Sequence, residues 1–315
     1  MKIGNSSVEI VREPNILKRI ELAGRTCYNS QHLITDTSYE KFITNIIARG
    51  HGSVLEHSNI AYKYYTTVDE LDIEYVYEWM LARKAVTGSH VLITLEHKDN
   101  EYFILISGNV RAWFDFIDED VNDEHLIDSE DSIANFKLQL HEDYPLLFAE
   151  SAMVPWKIEK PVLLTEEELL KINPIHTYYT FKIVTTRDIS HQLVRHRTLS
   201  FSQQSQRWVN YTLDKNDGEI TFIMPRIDEN MLDDFEAECE NIQSLYFKMI
   251  ESGLKPEVAR SILPNCTKTI IYITGKYLDW ENFVNLRTEP GAQKEIQDIA
   301  LQIDKEIKKY YIDLY

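Results

Sequence analysis

The sequence predicts an α+β fold, a mixed or antiparallel sheet flanked by helices with a helix-rich C-terminal half. Three observations carry that expectation. Short β-rich runs stand far apart at Ile60–Tyr65, Tyr102–Ile106 and Thr177–Val184. Beyond Asp228, Leu232, Phe235, Cys239, Ile242, Tyr246 and Met249 follow a near-3.6 period, and Ile296, Ile299, Ile303 and Ile307 repeat it near the end of the chain.

Taken in order, Thr37 with Glu40 has capping-box spacing, and Phe42, Ile43, Ile46 and Ile47 form one apolar face before Gly50, so a helix ends just before His51. A polar loop, His51 to His57, leads into the Ile60 strand. Leu71 to Ala85 reads as helix, with Tyr75, Trp79 and Leu81 among polar neighbours. Tyr102–Ile106 is a short buried strand that enters Ser107, Gly108 and Asn109. From Asp115 to Asp131 acidic residues dominate. A segment of about 96–174 therefore reads as an insertion with a solvated acidic surface in an otherwise single domain over 1–315. The Thr177 strand runs into a helix expected over 186–197, followed by a serine-rich loop. After an Asp217–Gly218 turn, Glu219 to Met224 is a further strand, and Gly253 and Pro256 close the helix after Asp228. One internal echo stands out: Ile106 to Phe116 resembles Ile273 to Phe283, with Gly108 over Gly275 and Trp113 over Trp280. A single such pair does not define a repeat architecture.

The formal charge of -18 and a pI of about 5.0 argue against bulk binding to nucleic acid or to anionic membrane. Any phosphate bound must be small and locally held. Cys27, Cys239 and Cys266 are odd in number and never C-x-x-C, which leaves no disulfide framework or zinc ribbon and suits a reducing cytoplasm. No apolar run approaches the roughly 20 residues of a membrane span, and the N-terminus carries no leader-like segment.

Against that acidic background, residues 195–207 hold three guanidiniums, one imidazole and three serine hydroxyls in R-H-R-x-x-S-x-x-x-x-S-x-R order. Guanidinium offers paired planar donors that fit phosphate oxygens or the carbonyl edge of a pyrimidine, and it stays charged at every working pH. On a helix, Gln192 shares a face with Arg195 and His196, so several donors can meet one nucleotide. Two plainer readings compete. The arginines could pair with the abundant carboxylates, or Phe201 and Trp208 could stack nucleic-acid bases between them. Likewise His51, Glu56 and His57 follow neither H-E-x-x-H nor H-x-x-E-H, so no metal is expected there. For His57 a structural role, bonded to backbone, is the plain alternative.

The arginine motif, the His51-Gly52-Ser53-Val54-Leu55-Glu56-His57 loop, Pro256 to Pro264 and Asn282 to Arg287 stand in the order found in the flavin-dependent thymidylate synthases, a family this chain resembles outside the central insertion. The resemblance implies reductive methylation of dUMP to dTMP, with methylenetetrahydrofolate as one-carbon donor, FAD as hydride carrier and NADPH as reductant. It implies an intertwined homotetramer with active sites built between subunits, and a catalytically impaired nucleotide- or flavin-binding relative is the alternative. It assigns the nucleotide to Gln192, Arg195, Gln203, Gln204, Ser205, Arg207, Arg260 and Arg287. The flavin falls to Ser53, Glu56, Arg195, His196, Arg197 and Asn282, with His51 beside it. Arg287 is expected to activate the pyrimidine, and Ser205 to position it, since no base or orienter marks the serine as a nucleophile. None of the cysteines lies in an activating motif, which suits hydride transfer in place of thiol addition.

Departures from the family pattern are informative. His191 stands where many relatives carry arginine, and Ser202 and Gln203 where some carry asparagine and glutamate. Cys27 fits an N-terminal family block near the flavin, or is a small buried hydrophobe. Lys276-Tyr277-Leu278 replaces an asparagine and an arginine that many relatives offer the flavin, so Asn109 and Arg111 of the echo are expected to supply that contact, with a turn feeding an ordinary helix as the plain alternative.

Overall fold

The computed structural model describes residues 1–65, 70–98, 101–118, 130–149, 161–213 and 218–312. Most of the acidic run, and Asp217 of the expected turn, lie outside them. In chain order the strands are β1 (Lys2–Gly4), β2 (Ser7–Ile10), β3 (Ile60–Tyr64), β4 (Leu92–Lys98), β5 (Glu101–Gly108), β6 (Val162–Leu163), β7 (Tyr178–Thr186), β8 (Ser200–Gln203), β9 (Thr221–Ile223) and β10 (Lys268–Lys276). The helices are α1 (Ile16–Thr26), α2 (Ser38–Ala48), α3 (Glu70–Thr87), α4 (Val110–Phe116), α5 (Glu130–Asp143), α6 (Glu166–Ile172), α7 (Arg187–Leu193), α8 (Leu232–Glu251), α9 (Pro256–Ala259), α10 (Tyr277–Arg287) and α11 (Lys294–Ile312). The fold is α+β, as expected.

The chain divides into two compact units, and the boundary falls within α1: one unit holds 13–21 and 35–178, the other 1–12, 22–34 and 179–315. The first is built on an antiparallel sheet in the order β4-β5-β3-β6. Its central strand β5 is buried from Phe103 to Gly108, which is why Tyr102–Ile106 reads as a continuous apolar run rather than an alternating one. Tyr62, Trp113, Phe116 and Phe136 interlock in its core at centroid separations of 5.5 to 6.3 Å, edge-on except for the tilted pair Trp113–Phe136. Within the segment expected to be an acidic insertion, α5 buries Ile133, Phe136 and Leu140, so the described part of it contributes core as well as surface.

The second unit carries a sheet in the order β2-β7-β10-β8 and a parallel β1–β9 pair. Ile296, Ile299, Ile303 and Ile307 of α11 are all buried beneath the four-stranded sheet's core, each worth roughly 1.5–3 kcal/mol of transfer free energy. Cys239 and Tyr246 of α8 sit in a separate core with Phe222 and Tyr211.

Three local expectations are corrected. Thr37 precedes α2 but its side chain makes no capping bond. Instead Ser38 Oγ accepts from Thr35 N and donates to Glu21, which satisfies the entry differently. Among the described residues a capping box is formed by Thr165 with Glu168, at the start of α6. The helix expected over 186–197 stops at Leu193. The serine-rich stretch after it is a strand rather than a loop: β8 pairs with β10 from Ser200↔Thr274 to Gln203↔Ile271. Serine has little intrinsic strand preference, and the ladder offered by β10 overrides it. Strand β4, not expected from the sequence, pairs with β5 from Leu92↔Ser107 to Lys98↔Glu101.

Candidate functional site

Thr186 opens α7 by accepting from Ile189 N, and the backbone N–H groups of Arg187 and Asp188 both reach Asn265 O, fixing the helix start against the turn before β10. At its end, Arg195 N bonds Gln192 O at 3.4 Å and His196 N bonds Leu193 O at 3.1 Å. This tight exit, anchored by buried Leu193 and Leu199, turns Arg195 and Arg197 outward into solvent.

Arg287, last residue of α10, comes back to the same exit. Its Nη2 donates to Gln192 O at 3.0 Å and its Nε to His196 Nε2 at 2.8 Å. An acceptor Nε2 requires the neutral ring with its proton on Nδ1. Burial and then the Arg287 charge push the His196 pKa down to about 4, in agreement with that geometry. His196 also packs edge-on against Phe283 at 4.8 Å. The structure thus brings Gln192, His196 and Arg287 into contact, with Arg195 and Arg197 exposed on the same helix exit; Asn282 is exposed on α10.

The strand β8 and the turn after it place the rest of the motif. Gln203 Nε2 donates to Ser190 Oγ and Thr269 Oγ1, so its amide is engaged inside the protein. Gln204 is buried, and its Oε1 lacks a partner. Ser205 N bonds Cys27 O, and Ser205 Oγ accepts from Arg207 N, a turn contact with neither base nor orienter beside the hydroxyl. Cys27 is half-buried, and burial pushes its thiol pKa up, opposite to what a nucleophile requires.

Arg207 pairs through Nε with Glu257 at 3.2 Å and lies 5.2 Å from the Trp208 ring centroid. Arg260 Nε donates to the main-chain oxygen of the same Glu257, so these two predicted cations meet at the start of α9. Arg187 was not anticipated. It is half-buried near Arg260 and Tyr211, and desolvation lowers its pKa. Its place directly after a threonine that ends a strand was the signal available, but that signal marks any helix entry.

In the other unit, His51 and Ser53 are exposed around a short 3-10 turn, Gly52–Glu56. Glu56 Oε1 accepts from Arg111 Nη1 at 2.9 Å, so two expected cofactor residues adjoin. Ser58 Oγ ties this loop to the start of α4 by accepting from Val110 N, and Asn109 Oδ1 caps α4 by accepting from Ala112 N at 2.9 Å. His57 is fully buried, and burial with the nearby Arg19 charge lowers its pKa to about 3. A neutral structural histidine is the result.

The chemical character of the constellation lies in what its cations lack. Among the described residues Arg187, Arg195, Arg197, Arg260 and Arg287 have no carboxylate partner, although the chain carries a charge of -18. The reading in which these arginines serve as surface ion pairs holds for Arg207 alone. Guanidiniums without carboxylates are donors suited to an anion, and one of them, Arg287, seats on the neutral imidazole of His196.

Comparison with known proteins agrees. The chain is 36% identical to the flavin-dependent thymidylate synthase of Pyrococcus furiosus over 138 residues, 42% of this chain and 56% of that protein. It is 36% identical to the enzyme of the same name from Sulfurisphaera tokodaii over 141 residues, 44% and 54% of the two chains. It is 33% identical to a probable flavin-dependent thymidylate synthase of Paramecium bursaria Chlorella virus 1 over 135 residues, 39% and 62%. The chain thus spans little more than half the length of the curated relatives it matches. The sequence profile described as thymidylate synthase complementing protein matches residues 9–69 and 175–311, more than half of the chain and all of the arginine constellation. By that match the chain belongs to the thymidylate synthase complementing protein family.

Proposed function

We propose that the protein converts dUMP to dTMP by reductive methylation, with methylenetetrahydrofolate as carbon donor and NADPH as reductant. The observation that carries this is the set of arginines left without carboxylates in an acidic protein, one of which, Arg287, is bonded to the neutral His196. Its donors fit a nucleoside monophosphate and a flavin diphosphate, and the unpartnered Oε1 of buried Gln204 leaves one further acceptor for a ring N–H.

Arg195, Arg207 and Arg260 bind the phosphate and sugar side, with Gln192, Gln203, Gln204 and Ser205 as neutral contacts. Arg287 is held by two hydrogen bonds, which leaves Nη1 free to polarise a uracil carbonyl with little loss of side-chain entropy. His196 stays uncharged at neutral pH and so orients Arg287 without repelling it. Ser205 positions the nucleotide. Arg195, His196, Arg197 and Asn282 are assigned to FAD, as are Ser53 and Glu56 with His51 beside them, and Asn109 and Arg111 through the echo. FAD, when bound, supplies the hydride that reduces the transferred carbon. The arrangement the resemblance implies is a homotetramer with sites completed between chains, acting on dUMP and folate and on neither nucleic acid nor membrane, in the cytoplasm. Among the described residues no helix is long and apolar enough to cross a membrane. The segment of about 96–174 is read as an insertion into a single family domain; the profile match stops at 69 and resumes at 175, which agrees with its end and leaves its start at about 96 without support.

A second reading, a relative that binds nucleotide or flavin without turnover, draws on Lys276 and Leu278 at the start of α10. Anaerobic turnover of dUMP with methylenetetrahydrofolate and NADPH separates the two. Wild type is expected to form dTMP, and Arg207→Ala to lose at least about tenfold in kcat/KM, the loss of one charge-assisted contact of roughly 1.5–3 kcal/mol. Equal dTMP formation by both removes Arg207 from the site, and a colourless protein that binds dUMP without turnover favours the second reading.

A further inference from the structure

We infer that the chain contains two copies of one strand–helix module, residues 60–117 and 179–287, and that only the second copy has kept the nucleotide cations. The faint echo in the sequence becomes a detailed correspondence in three dimensions. Each copy is the heart of a four-stranded sheet, β4-β5-β3-β6 in one unit and β8-β10-β7-β2 in the other, so β3, β4 and β5 match β7, β8 and β10 in order. In each, the edge strand is antiparallel to the strand that feeds a helix: Leu92 pairs with Ser107, and Ser200 with Thr274. A helix lies between the first and second strands of each copy, α3 in one and α7 in the other.

Side chains match at the same offsets. A Cβ on Gly108 would meet Val91 Cγ1 at 2.9 Å, and a Cβ on Gly275 would meet Leu199 Cδ2 at 2.2 Å; Val91 and Leu199 each precede the edge strand by one residue. One residue after each glycine, Asn109 and Lys276 turn the chain from strand to helix with nearly the same backbone, φ -72° and ψ 166° against φ -66° and ψ 157°. Trp113 Nε1 donates to Ile60 O and Trp280 Nε1 to Tyr179 O, both at 3.0 Å. Each tryptophan meets a phenylalanine three residues on, 5.9 Å for Phe116 and 5.6 Å for Phe283, with planes near perpendicular. Each also meets an aromatic ring of the first strand, Tyr62 in one copy and Phe181 in the other, again edge-on. Shared packing of sheet and helix could produce one of these agreements. It does not by itself produce all of them at constant sequence offset.

The copies differ where the chemistry lies. Counting back four residues from the matched Val91 and Leu199 sets Thr87, Gly88 and Ser89 against Arg195, His196 and Arg197. Along the edge strand Leu95 and Glu96 stand against Gln203 and Gln204. The first copy has thus kept the glycine, the tryptophan and the aromatic contacts that make the module, and has lost the cations that hold an anion. One chain offers two modules and one nucleotide site.

Resting on the proposed function, whose resemblance implies an assembly of four chains, and counting one module for each of those four, this gives a consequence for assembly. Two chains supply four modules, so the working particle is a dimer of this chain in place of the four-chain arrangement the family resemblance implies. Light scattering on the purified full chain, followed by calorimetric titration with dUMP, tests it. The expected result is the mass of two 37.0 kDa chains, binding one dUMP per chain. A four-chain particle overturns the inference and leaves the proposed function standing, and two dUMP per chain overturns it by placing a working site in the first copy. Failure of dUMP to bind at any mass overturns the proposed function itself. Arg195→Ala, which removes an exposed side chain and leaves the fold alone, is expected to abolish the single dUMP site; retention of full stoichiometry and affinity also counts against the inference.

Discussion

At the residue scale the His196 and Arg287 pair decides most. Their geometry needs a neutral imidazole, and the folded pKa of about 4 lies below the ordinary 6.5, so the unfolded chain takes up the proton first. His57, with a folded pKa of about 3, acts in the same direction. Stability is therefore full above about pH 6.5 and falls as pH drops toward 4, at a slope of up to roughly 1.4 kcal/mol per pH unit for each proton. Thermal melts of wild type between these limits are expected to show the decline. His196→Gln, which keeps an acceptor for Arg287 and cannot titrate, is expected to show a shallower one. An unchanged slope in the variant rules His196 out as a source. The motif itself was legible because guanidinium and hydroxyl groups are conspicuous in an acidic chain. That Arg287, far away in sequence, seats on His196 and Gln192 O was not, since no local pattern encodes a contact across 91 residues.

At the scale of elements, the periodic helices and the apolar strands were readable, because burial of one face imposes a period that the sequence displays. β8 was not, and neither was the early end of α7. Both depend on β10, whose ladder captures a serine-rich segment and pulls the chain out of helix. The corner between β10 and α10 has its own requirement: Gly275 lies so close to Leu199 that any side chain must displace a buried neighbour. Gly275→Ala is expected to lose roughly 1–3 kcal/mol in urea unfolding by overpacking, and Gly108→Ala less, since its closest approach is longer, 2.9 Å against 2.2 Å. A Gly275→Ala protein as stable as wild type would mean that Leu199 yields freely and that the close approach is not a constraint.

Over the whole molecule the governing quantity is the contrast between a charge of -18 and a cluster of arginines without carboxylates. The general field repels polyanions, and the proposed site sets one small anion on the cluster. Because Arg195 and Arg197 are exposed, their share of the attraction is screened. The dUMP dissociation constant is expected to rise several-fold between about 50 and 300 mM salt, as the Debye length shrinks from roughly 14 to 6 Å. A salt-independent constant would show that the phosphate is held by neutral donors. Single-stranded oligonucleotides are expected not to bind at either salt concentration, and tight binding would return the arginines to nucleic-acid recognition.

The sequence by itself determined the fold class, the long helices, the cationic motif and the family it points to. These are properties of composition and of local period, which a chain carries before it folds. Only the tertiary structure decided which cations stay unpaired, how Arg287 reaches His196, why the serine run is a strand, and that one module occurs twice. Each of those depends on distant segments meeting, and at the strand-to-helix corner identity between the copies survives at buried positions where packing demands a particular shape: Ile106 and Ile273, Gly108 and Gly275, Trp113 and Trp280, Phe116 and Phe283.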